Sequence, residues 1–174
     1  IQICGFFLRR AVATGSSPVV LVGQGDGAPL DGYFDTDPMP QVRESAVLCA
    51  LFGYDAPATE LAGLRYVAVP GGDPLRRQSF LVVLTESMAF AMVGTRSVPS
   101  DPVLEVVHTQ DEESVYLLAE HVIRRIPFVD GDPIRPLVRE LVRPAEGGAG
   151  AGPHEAAGGA AAGRTRSRWG LRRD

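Results

Sequence analysis

The 174-residue chain is 45 % hydrophobic with a formal net charge of -4, long enough for one core of ordinary size. Its mildly acidic balance, with a pI near 5.4, repels phosphate backbones and anionic lipid, so nucleic acid and membrane are not the expected partners. Every basic residue is arginine, which reads as coding bias, and Cys4 and Cys49 lie in apolar stretches, which favours buried thiols over a disulfide.

The first segment, 1–17, begins without methionine and is expected as a helical lead-in, with a helix over Ile3–Ala13 ended by Gly15-Ser16-Ser17-Pro18. Its apolar octet Ile1–Leu8 falls short of the roughly 20 apolar residues of a bilayer span, and Arg9 and Arg10 follow it where a signal peptide would have them precede. The cytoplasm is therefore the expected location. Val19–Val22 is a continuous β-branched run between Pro18 and Gly23, the pattern of a central strand buried on both faces. Gly23 to Pro40 reads as loop, Gln41–Ser45 as a short helix, Ala46–Phe52 as a second buried strand, and Leu64–Val69 as a third.

Phe80–Thr85 and Phe90–Thr95 form a hairpin pattern linked by Glu86-Ser87-Met88-Ala89, and Val103–Val107 suits a further short strand. Thr109 followed by Glu112 reads as a capping box opening a helix over Asp111–Ile126, with Val115, Leu118, Val122 and Ile126 on its apolar face. A prolyl segment runs to Pro144. From 145 to 174 the chain is rich in Gly, Ala and Arg, lacks a periodic apolar face, and is expected to be a disordered tail. The fold class expected is α/β, a single domain over 18–144 with a mixed sheet of about five strands and packed helices.

Candidate chemistry is sparse. Gly23-Gln24-Gly25-Asp26-Gly27 follows a strand, the place of a phosphate-binding loop, but it has no P-loop lysine and runs into Pro29 and Asp31, so a turn is the expected reading. Asp26, Asp31, Asp35 and Asp37 lack calcium-loop spacing and suit solvated turns. His108 and His121 form no i, i+4 metal pair, and no G-x-S-x-G is present, so no catalytic or metal-ligating set is assigned and no cofactor is expected. Tyr33 and Phe34 are aromatics within a loop, suited to covering a pocket or a partner surface, with local packing onto the sheet the expected role. The arginine-rich stretch around Trp169 is the only part suited to nucleic acid or an acidic protein, and a solvated tail with incidental charge is the expected reading.

From Arg10 to about Phe128 the chain resembles the DICT domain, a family regarded as sensory and named for its occurrence with diguanylate cyclases and two-component systems. The similarity lies in Pro18-Val19-Val20-Leu21-Val22 ending near Gln24, in Ala46–Gly53 and in Gly63–Val69. It is closest in Asp73-Pro74-Leu75 leading into the strands Phe80–Leu84 and Phe90–Gly94. Family members carry glutamate and tryptophan where this chain has Gln78 and Ser79, and an aromatic residue where it has Gly23. The resemblance implies a non-enzymatic sensory or regulatory module in bacterial signalling that binds a small ligand or a signalling partner. Gln24, Tyr33, Phe34, Asp73, Gln78 and Phe90 are then its candidate binding residues. A protein-interaction or homodimerisation module without ligand is the alternative reading, and a small nucleotide-dependent enzyme built on the Gly23–Gly27 loop is the third.

Overall fold

The computed structural model describes residues 2–15, 17–25, 36–54, 61–95, 103–128, 132, 135–136 and 164–168. Its centre is a mixed sheet made from β1 (Val19–Gly23), β2 (Leu48–Gly53), β3 (Arg65–Ala68), β4 (Gln78–Thr85), β5 (Met88–Thr95) and β6 (Val103–Thr109). The strands lie in the order β3-β2-β1-β4-β5-β6, with a further segment, β7 (Arg164–Arg168), beside β6. β1, β2 and β3 run parallel, and β4, β5 and β6 alternate antiparallel. This is the expected α/β domain with a mixed sheet. The rest of the expected tail lies outside the described residues, while β7 pairs its backbone antiparallel to β6.

The sheet is covered by the helices α1 (Gln2–Ala13), α2 (Met39–Ser45) and α3 (Glu112–Ile123). Alternation along the strands sends Val19, Leu21, Ala50, Phe52, Val82 and Leu84 to one face, where Val115, Ala119 and Val122 of α3 and Ile126 beyond it close the core. The intervening residues Val20, Val22, Leu51, Leu81, Val83 and Phe90 face the other way, under Cys4, Phe7, Leu8 and Ala11 of α1 and Met39 and Val42 of α2. β1 and β2 are buried on both faces along their whole length, which is why they read as unbroken apolar runs.

Several boundaries differ from expectation for local reasons. β2 starts at Leu48 because Ala46 caps α2, its N–H donating to Val42 O, and Val47 N donates to Pro18 O at 2.9 Å. The hairpin is tighter than expected: Thr85 pairs with Met88, so only Glu86 and Ser87 form the turn and the Met88 and Ala89 side chains enter opposite core faces. β6 continues to Thr109, which pairs with Ala91. Thr109 is thus still strand, and the cap of α3 is Asp111, whose Oδ2 accepts from Ser114 N at 2.9 Å and from Ser114 Oγ at 2.6 Å. Thr109 Oγ1 instead accepts from Asp111 N at 3.0 Å and orients the cap.

Candidate functional site

The pairing directions gather the carboxyl ends of β1, β2, β3 and β5 and the amino ends of β4 and β6 along one edge of the sheet. The chain leaves β1 towards β2 and leaves β5 towards β6, so the connections diverge on either side of the start of β4. In parallel α/β sheets ligands bind where adjacent crossovers diverge at the carboxyl edge; here the link from β3 to β4, residues 69–77, runs along this edge past the ends of β2 and β1. Gln78 and Ser79 open β4 at this point, flanked by the Gly23–Gly25 segment and by Thr95, the register partner of Gln78.

Gly23 and Gly25 are small because of what lies over them. A β-carbon at Gly23 would meet the Phe80 ring at 2.0 Å, and one at Gly25 would meet Ser79 Oγ at 2.9 Å and Gln78 backbone at 3.0 Å. Gln24 N donates to Phe52 O at 2.8 Å and Gly25 N to Ser79 Oγ at 3.3 Å. These N–H groups are engaged by β2 and β4, so Gly23–Gly25 is a close-packed strand exit, while Asp26 and Gly27 lie outside the described residues.

Asp73 holds the next part of the rim. It caps the 3₁₀ turn Pro74–Arg77, its Oδ1 accepting from Leu75 N at 2.9 Å, while Oδ2 accepts from Arg125 Nε at 3.0 Å. The Leu75 N–H bond, aided by the Arg125 hydrogen bond and charge and by His121, keeps the Asp73 carboxyl below the ordinary aspartate range against a smaller opposing effect of burial. Beside it the Arg76 guanidinium lies 5.0 Å from the centre of the Tyr54 ring at the end of β2. A second strap crosses β3, where Arg65 pairs with Asp132 at 2.8 Å and its guanidinium sits 5.3 Å from the Phe128 ring centre.

Of the candidate residues, Gln24, Asp73 and Gln78 therefore share the carboxyl edge. Tyr33 and Phe34 lie outside the described residues, as do Asp26, Asp31 and Asp35. Phe90 is not with them. It is fully buried in the opposite half of β5, stacked on Phe7 with ring centres 3.7 Å apart and with His108 at 6.4 Å. It belongs to the core beneath α1, because its alternation phase points it at that helix. Ser79, Tyr54, Arg76 and Arg125 were not singled out as binding residues. Their sequence signals are the pair Arg76-Arg77 ahead of a strand and the departure from the family pattern at Ser79, and the contacts that assemble them come from far along the chain.

Cys4 and Cys49 are free and buried. Among the described residues no three or more His, Cys, Asp or Glu side chains are grouped to hold a metal ion, and no described helix is long and apolar enough to cross a membrane. Compared with family models, curated proteins and solved structures, the chain has no match.

Proposed function

We propose that the chain is a non-enzymatic sensory or regulatory module of bacterial signal transduction, acting in the cytoplasm, that binds a small ligand at the sheet edge around Gln78 and Ser79. The observation that carries this reading is the strand pairing, which together with the β3–β4 link brings Gln24, Asp73, Gln78 and Ser79 to one edge of the sheet. The resemblance to the DICT domain supports it; Gly23, Gln78 and Ser79, the three positions that depart from that family, also lie at this edge and count against carrying over a family ligand contact there. A ligand seated here would touch β1, β4 and the turn linked through Asp73 and Arg125 to the end of α3, so it can bias how the chain leaves the domain.

A protein-interaction module is the second reading, favoured by the exposure of Val107 on β6 and Leu117 on α3, 48 % and 61 %. The nucleotide-dependent enzyme has the least support, because the backbone donors of Gly25 and Gln24 are already engaged. A thermal-shift screen of metabolites and nucleotides, with turnover assayed in parallel, tests the proposal. A ligand that binds only the folded form at a hundredfold excess over its Kd stabilises it by about 2.7 kcal/mol. Saturable stabilisation without turnover is the expected result, and turnover of the stabilising compound would overturn it.

A further inference from the structure

The rim is basic although the chain as a whole has a net charge of -4. The turn Pro74–Arg77 ends in Arg76 and Arg77, and Arg125, just beyond α3, reaches Asp73, with the charge of His121 also felt there. The carboxylates beside them are already engaged: Asp73 by Leu75 N–H and Arg125, and Glu120 by Arg124. Among the described residues no carboxylate pairs with Arg76 or Arg77.

Arg76 is half-buried and lies over the Tyr54 ring, 5.0 Å from its centre. A guanidinium over a ring face is attracted by the ring quadrupole while its N–H donors stay available to an anion. Tyr54 stands two residues beyond Phe52, whose carbonyl accepts from Gln24 N, so Arg76 and Tyr54 lie at the same sheet edge as Gln24. Asp73 displays the same chemistry within the chain, a carboxylate held jointly by a backbone N–H and an arginine.

We propose that the ligand of this rim is an oxyanion-bearing small molecule, its carboxylate or phosphoryl group held by Arg76 over Tyr54 with Arg77 alongside. The assignment rests on the ligand reading above and adds the ligand's class. The guanidinium supplies paired donors to two oxygens of the anion, and the remainder of the molecule extends over Gln24, Gln78 and Ser79.

The test is an NMR titration of the full chain with inorganic pyrophosphate and, separately, citrate at constant ionic strength, following arginine Nε–Hε, the Tyr54 ring and backbone amides. At least one anion is expected to give saturable one-site shifts at Arg76 and Tyr54, and preference for pyrophosphate or citrate tells phosphoryl from carboxylate recognition. Arg76→Gln/Arg77→Gln, checked for folding by its amide spectrum, is expected to weaken binding about tenfold or more, the loss of a charge-assisted contact, while Arg124→Gln leaves it unchanged. Equal affinity in the double variant, or no saturable shift with either anion, overturns the assignment. A neutral metabolite that shifts Gln24, Gln78 and Ser79 while neither anion binds would overturn the anion class alone and leave the rim reading standing.

Discussion

The Phe80 ring occupies the space that a side chain at Gly23 would need, with a β-carbon there falling 2.0 Å from it. The two residues are register partners across β1 and β4, and Phe80 is buried. Gly23→Ala must therefore displace a packed aromatic ring, and the expected cost is that of overpacking, about 1–3 kcal/mol. Denaturant unfolding measures it, and combining Gly23→Ala with Phe80→Leu should recover part of the loss. An unchanged midpoint for the single variant would mean that the ring has room to move.

Replacing Phe90 tests its placement in the core. Its ring is fully buried and stacked on Phe7, so Phe90→Ala is expected to cost about 3–5 kcal/mol. Ligand affinity at the rim, measured where the variant is still folded, should not change. A selective loss of binding with little loss of stability would return Phe90 to the binding residues.

Asp73 and Asp111 set the acid limb of stability. Backbone N–H bonds from Leu75 and Arg125 pairing lower the Asp73 carboxyl, and hydrogen bonds from the Ser114 side chain and backbone lower that of Asp111. The unfolded chain therefore takes up these protons first, so their stabilisation is complete above the ordinary aspartate range, about pH 4. It is lost as the pH falls through the lowered folded-state values. Asp73→Asn should flatten this acid limb in unfolding measurements, and Asp111→Ala should destabilise α3 more than Thr109→Ala does. An unaltered pH dependence in both aspartate variants would contradict the account.

The two thiols should be inert in the folded protein. Burial pushes Cys49 up to about 12 against the opposing charge of Arg43, and burial likewise raises Cys4. Cys4 Sγ also donates to Met92 Sδ at 3.9 Å beneath α1. Labelling with a thiol-reactive dye at pH 8 should modify neither residue until denaturant is added. Rapid native labelling of Cys49 would show that β2 opens.

Much of the scaffold was legible because burial on both faces forces continuous apolar runs at β1 and β2, and a one-sided helix repeats Val115, Val122 and Ile126 on one face, with Leu118 only partly buried beside them. The start of α3 was not, since Thr109 and Asp111 both fit a cap and only the pairing of Thr109 in β6 decides between them. Phe90 misled because an aromatic at a hairpin has the same local pattern whether it faces a ligand or a helix. The rim was half legible. Gln24, Asp73 and Gln78 follow strand ends or turn signals, but Arg125 meets Asp73 from 52 positions away and Ser79 meets Gly25 across 54. Such links depend on strand order, which local sequence patterns do not specify.

The central claim, a ligand site at the carboxyl edge above the start of β4, is tested most directly by mapping amide shifts in the full chain on titration with a stabilising compound from the screen. The account predicts saturable changes concentrated at Gln24, Gly25, Gln78 and Ser79 and extending through Asp73 to Arg125. Shifts confined to Val107 and Leu117, accompanied by a rise in molecular mass with concentration, would contradict it in favour of an interaction module.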